Sequence, residues 1–196
     1  MEKNTLGIIA GCIALSAFVP FTYAILKGPA KPSIVTWGTW VVVNILLLKS
    51  YHDNGAYSTL WMPKAFLLGD IIICILSIRF GERKISRIDK AVIAVTILNI
   101  AGIIFYKYDK EVVLMLSVIA LAIGGVPTMI KSWKRPYNED KWVWSIFGLG
   151  AILNLVAVED WSHWQIFAHP LYAVCVDVTI AIILWLRSGV KRPLVA

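Results

Sequence analysis

Charge is scarce in this chain: Asp, Glu, Lys and Arg supply 16% of its 196 residues, against 59% hydrophobic ones. Soluble domains carry roughly 25% charged residues. No polar stretch is long enough for a separate soluble domain, and the mean hydropathy is +0.74. Cysteine is scarce too. Cys12, Cys74 and Cys175 fall inside apolar segments without metal-ligand spacing, so they read as small buried hydrophobes, and no metal or cofactor is expected. The chain has no ATP-binding motif, so any transport it performs would be driven by a gradient. It shows no nucleophile beside a base, so an enzyme is not expected. The last apolar segment has no lysine, which argues against a retinal Schiff base. No basic run carries interleaved aromatics or a nucleic-acid reading module, so the net charge of +7 does not point to nucleic acid.

What the chain has is apolar length. Seven segments, at 5–26, 33–49, 60–80, 90–107, 111–131, 141–158 and 166–186, come near the roughly 20 residues that cross a bilayer. Helix is the geometry that satisfies such backbone in lipid. The first segment resembles a signal peptide superficially and is expected to be a retained helix. Segment two is short for a span, and segment six mixes small residues with tryptophans. The connections are short. Ser33 is placed to cap segment two, and Asn54-Gly55 marks a turn.

The basic residues are uneven. With seven spans, loops one, three and five share a side with the C terminus and together hold 14 Lys and Arg, against five on the other side. The positive-inside rule then places the N terminus outside and the C terminus in the cytoplasm, with basic residues near anionic lipid. Six acids fall outside and four inside, which leaves Asp70 and Asp177 within spans. An integral protein of the plasma or inner membrane is expected.

The chain repeats itself at an offset of 107: Pro20 with Pro127, Lys27 with Lys134, Pro29 with Pro136, Trp37 with Trp144, Asp53 with Asp160, Pro63 with Pro170 and Asp70 with Asp177. Between Val19 and Arg79 there are 13 identities over 61 gapless positions. Apolar composition produces coincidences among Ile, Leu and Val, but not prolines, tryptophan and aspartates in register. The expected fold is all-α: seven transmembrane helices as two parallel three-helix bundles, at 1–86 and 109–190, joined by a linker helix at 87–108. Four crossings separate the copies, so they point the same way. Parallel repeats occur in secondary transporters, whose substrates bind near the midplane between the repeats.

On this layout, and on the prolines of AFVPFTYAILKGPAKP and GGVPTMIKSWKRPYNEDKW, the chain resembles the SWEET and PQ-loop superfamily of seven-helix transporters. It resembles the nicotinamide riboside transporters in layout as well. The resemblance covers almost the whole chain and implies two three-helix bundles around a central cavity. The prolines here are followed by Phe21 and Thr128, where PQ-loop members have glutamine. In SWEETs the third and seventh helices carry an asparagine facing the substrate; Asp70 and Asp177 stand on that pair of helices.

The candidate site follows from these residues. Asp70 and Asp177 sit at the centres of segments three and seven, and intramembrane acids are costly and usually functional. They either load and release protons, recognise a cationic or hydroxyl-rich solute, or serve as structural acids bonded across helices. Asn44 and Asn154 lie three residues apart in the repeat register, and either line the pocket or hold helices together. Asn99, in the connector, has a weaker case. Trp37 and Trp144 are the symmetric pair among the cytoplasmic tryptophans, which include Trp40 and Trp142; they stack on a substrate or belong to an aromatic belt with Trp61, Trp161 and Trp164. Tyr23, Tyr57 and Tyr172 are similar candidates. Pro20 and Pro127 are hinges for an inner gate, or kinks that shape the bundle. Pro63 and Pro170 are expected in the first turn of their helices, where proline fits. His163 and His169 flank the outer end of segment seven, satisfied or facing solvent, and Gly7-x-x-x-Gly11 suits close helix packing.

The expected function is a secondary transporter or facilitator of a small polar or cationic solute, working by alternating access with or without proton coupling. The alternative is a seven-helix sensor or cargo-binding receptor that signals through the basic loop RFGERKISRIDK. The implied partners are the small polar solute and membrane lipid, with a homo-oligomer as an open arrangement and no nucleic acid.

Overall fold

The computed structural model describes residues 2–28, 32–81, 85, 87–105 and 109–190, leaving aside the side chains of 88, 127, 131 and 138. The regular structure of the described residues is helical. The helices are α1 (Lys3–Leu26), α2 (Ile34–Asp53), α3 (Trp61–Phe80), α4 (Arg87–Phe105), α5 (Lys110–Lys134), α6 (Lys141–Val156) and α7 (Trp164–Leu186). A 3₁₀ turn, Ser58–Leu60, runs into α3. Inside α7 the stretch Val174–Val178 widens into a π turn. Among these, α1, α2, α3 with its leading turn, α5 and α7 are long and apolar enough to cross a membrane.

Short side chains set the helix starts. Ser33 accepts the Thr36 N–H at 3.3 Å at the head of α2. Asp109 accepts Glu111 and Val112 N–H at α5, and Asp140 accepts Trp142 and Val143 N–H at α6. Each supplies an acceptor for the donors that a first turn leaves open. Asn54 and Gly55 end α2, the glycine at φ +85°.

Contacts at the helix ends define two faces. The start of α1 meets the end of α6 through Lys3 and the Val156 carbonyl, and the end of α2 meets the start of α5 through Asn54 and Lys110. At the opposite face the starts of α2 and α4 join through Thr36 and Asp89, and the end of α7 joins the start of α6 through Trp185 and Ser145. We call these the N-terminal and C-terminal faces. α1 packs on α3 and α6, α2 on α3 and α5, and both α5 and α6 on α7. Exchanging α1 with α5, α2 with α6 and α3 with α7 maps this set onto itself. α4 lies against α5 and α2.

Polarity is inverted relative to a water-soluble bundle. Ile75, Ile78, Ile104, Phe105 and Leu186 stand exposed, while Asn44, Asp70, Asn99, Asn154, His169 and Asp177 are buried. An exterior this apolar suits lipid, and the fold is that of a membrane-embedded helical protein.

Several expectations change. α2 runs to Asp53 because its last turn is anchored by Tyr51, which is wholly buried. α6 stops at Val156, and 106–108 lie outside the described residues. Cys12 and Cys175 are exposed on the bundle exterior and Cys74 is half-buried, so they are not core residues. In lipid a cysteine is as well accommodated outside as inside. Pro63 sits in the first turn of α3 as expected, whereas Pro170 is the seventh residue of α7 and interrupts it.

Candidate functional site

A cavity of about 1660 Å³ penetrates the bundle. Its mouth, at the C-terminal face, is lined by Ser33 and Lys141 at the starts of α2 and α6 and by Arg187 at the end of α7; its far end reaches His169. Typical ligand sites are about 300–1,000 Å³, and the excess here is the open vestibule.

Helix geometry brings the site residues together. Trp37, Trp40 and Asn44 follow one face of α2, and Phe66 and Asp70 one face of α3. On α7, His169, Ala173 and Asp177 stand four residues apart, and all three line the cavity. The Asn44 amide donates to the Asp70 carboxylate at 2.7 Å. Asp70 is 2% exposed and Asp177 is 7% exposed. Tyr172 lies within electrostatic reach of both carboxylates, and its hydroxyl donates to the Leu121 carbonyl of α5 at 3.0 Å. Gly124 and Gly125 on α5 make room: a Cβ on Gly124 would stand 3.0 Å from Trp40 Nε1, and one on Gly125 3.1 Å from Val176.

The two acids are not equivalent. Asp70 rides on regular helix and has Asn44 as a partner. Asp177 lies inside the π turn, and its Oδ2 is buried without a hydrogen-bond partner among the described residues. The prolines are placed differently as well. Pro170 offers no N–H to the Ile166 carbonyl and crowds it; the Tyr51 hydroxyl of α2 donates to that carbonyl instead. The π turn at Val174–Val178 is a separate feature, and its extra residue turns Asp177 away from the angle of a regular helix. In the first copy the break comes upstream of Pro63, as the 3₁₀ turn Ser58–Leu60.

Aromatic rings wall the cavity. Trp37 meets Trp40 edge-on at 5.3 Å between centroids and Phe21 at 5.5 Å. Phe66 stacks on Phe147 at 5.4 Å, and Trp144 lies 5.8 Å from Phe147. Trp144 Nε1 donates to Glu139 at 3.0 Å.

Of the expected site residues, Asp70, Asp177, Asn44, Trp37 and Trp144 share this cavity. Asn154 does not line it; the residue is 0% exposed, and neither amide atom has a partner among the described residues. Asn99 bonds Ser117 and the Val113 carbonyl, tying α4 to α5. Pro20 lines the cavity on α1; Pro127 falls on α5, and its side chain is outside the described residues. Tyr23 and Tyr57 are exposed, while Tyr172 lines the cavity. His163 is exposed and pairs with Asp160 at 2.7 Å. The Asp160 carboxyl is held below the usual carboxylate range by the Ser162 N–H and by His163. His169 departs from the sequence reading: it is 2% exposed, lines the cavity, and its Nδ1 has no partner among the described residues. The spacing His169–Ala173–Asp177 was the signal that puts it on the cavity side of α7. No group of three or more metal-ligating side chains occurs among the described residues.

Among the described residues, the N-terminal face is held shut by bonds between the halves. Side-chain hydrogen bonds there join the first half of the chain to the second: Lys3 to the Val156 carbonyl, Tyr51 to the Ile166 carbonyl, Asn54 to the Lys110 carbonyl, Lys110 to the Asp53 carbonyl, and Ser58 to Glu159. Thr59 adds a bond to the Tyr51 hydroxyl at 3.0 Å. Comparison of the chain with protein-family models, curated proteins and solved structures finds no match, so the chemistry of the site rests on its own residues.

Proposed function

We propose that the protein is a secondary transporter or facilitator that moves a small polar or cationic solute across a membrane by alternating access. The observation that carries this is the cavity itself: it reaches Asp70 and Asp177, on corresponding helices, from the C-terminal face, while among the described residues hydrogen bonds tie the halves together at the opposite face. A site at mid-depth, open to one side and sealed on the other, is what one state of such a carrier requires. The excess of Lys and Arg on the C-terminal side favours a cytoplasmic mouth. Pro20 and Pro127 would let α1 and α5 bend as the halves rock. Asp70 and Asp177 bind the solute, a proton or both.

Reconstitution tests this. Proteoliposomes should accumulate a labelled solute from a panel of amines, amino acids and sugars. Asp70→Asn and Asp177→Asn should each cut the initial flux by about tenfold or more, the scale of a lost buried charge contact. Unchanged flux in both variants, with protein incorporated normally, overturns the proposal.

A further inference from the structure

We propose that the cavity is built for an organic ammonium or guanidinium cation with a flat apolar body, and not for a neutral polyol. This rests on the reading of the cavity as the solute site and names what that site takes.

Three features converge. First, the deep end holds carboxylates without cations among the described residues. Asp70 and Asp177 line it, whereas the lining cations, Lys141 and Arg187, sit at helix ends near the mouth. Those two are engaged elsewhere: the Lys141 ammonium is 4.0 Å from the Trp185 ring centroid, and the Arg187 guanidinium is 5.0 Å from that of Trp133.

Second, beside the acids the hydrogen-bonding deficit is one of donors. Asn44 turns its Nδ2 to Asp70, which leaves its Oδ1 buried without a partner among the described residues, and Asp177 Oδ2 is in the same position. Nearer the mouth the same lining holds two open donors among the described residues, Trp40 Nε1 and Arg187 Nε. His169 Nδ1 serves as either, according to tautomer. A polyol brings as many acceptors as donors, whereas an ammonium or guanidinium brings donors only. Buried acceptors left unmet are costly, so the site selects for N–H.

Third, the walls are aromatic. Trp37, Trp40, Phe66, Phe147 and Trp144 offer ring faces and edges between the mouth and the acids. Cations are attracted to such faces, and flat apolar bodies stack on them.

The test uses 2-phenylethylamine and benzylguanidine as cations, 2-phenylethanol as the neutral isostere, and glucose as the polyol. Binding to the purified full-length protein is read by tryptophan fluorescence and by thermal shift at neutral pH. Both cations should quench fluorescence and raise the melting temperature, with 2-phenylethanol and glucose at least about tenfold weaker. Asp177→Asn should weaken the amine by about tenfold and leave the alcohol unchanged. Trp37→Leu should weaken the amine several-fold with an unaltered pH profile. Equal binding of amine and alcohol, preferential binding of glucose, or no binding of either cation overturns the proposal. The comparison of amine with alcohol on the unsubstituted protein decides the matter even where a variant fails to fold. An amine that binds but is not carried into proteoliposomes removes the transport reading and leaves the cation site standing. Carriage of glucose without the amine does the reverse.

Discussion

Pro170 leaves the Ile166 carbonyl without its helical donor, and the Tyr51 hydroxyl of α2 takes that place. Tyr51 is wholly buried, receives a bond from Thr59, and joins the two halves of the chain at the closed face. A buried acceptor stripped of its partner costs about 1–3 kcal/mol. Tyr51→Phe should therefore lower the melting temperature by several degrees, at roughly 2–4 °C per kcal/mol for a chain of this size. The sharper measurement is a double-mutant cycle. Pro170→Ala restores an N–H to the Ile166 carbonyl, so in that background Tyr51→Phe should cost less than half as much. An equal cost in both backgrounds would mean that the hydroxyl does not compensate for the proline.

At the scale of elements, α1 crosses the head of α3 at its two glycines. A Cβ on Gly7 would lie 1.8 Å from the Ser58 carbonyl oxygen, and one on Gly11 2.7 Å from that of Trp61. These neighbours are backbone and cannot swing aside. Gly7→Ala should thus destabilise by at least about 1–3 kcal/mol, as overpacking does, and reduce the folded yield in detergent. Gly102 on α4 has nothing within 4 Å of its added Cβ, so Gly102→Ala should be neutral or stabilise by about 0.5–1 kcal/mol. If thermal melts rank the two variants the other way, the crossing is not held by close approach. Helix positions and capping were legible in the sequence: the seven apolar segments, the Ser33 cap and the Asn54-Gly55 turn stand where their chemistry puts them, although α2 and α6 end elsewhere than expected. Rotation about the helix axes was not. In lipid the outside of a helix is as apolar as the inside, so the periodicity that orients a soluble helix fades. That is why Asn154 could be expected at the cavity and lies off it, and why His169 could be expected at the surface and lies at the cavity end. The interior proline of α7 was illegible for another reason. Pro63 and Pro170 match in the repeat, but the second helix begins a turn earlier, so the same residue falls in a first turn in one copy and in an interior in the other.

For the whole molecule, the hydrogen bonds between halves gather at the N-terminal face and the cavity opens at the other. A carrier must exchange these conditions, and a solute shifts the balance only by binding one state better than the other. Substituted cysteines can follow that exchange, because the native thiols lie on the bundle exterior or are half-buried and can be replaced by serine. Thr128 lines the cavity, whereas Thr59, at 1% exposure, lies under the closed face. In membranes without solute, an impermeant maleimide applied at the C-terminal side should label Thr128→Cys, and Thr59→Cys should stay protected from either side. Adding Tyr51→Phe and Ser58→Ala removes two of the bonds that hold the closed face. Labelling of Thr59→Cys from the N-terminal side should then rise several-fold while that of Thr128→Cys falls. A transported solute should shift the two rates in opposite directions in the same way. If Thr59→Cys stays protected while flux proceeds, the halves do not rock about this site. If both positions become accessible together, the path is a continuous pore and the mechanism is that of a channel.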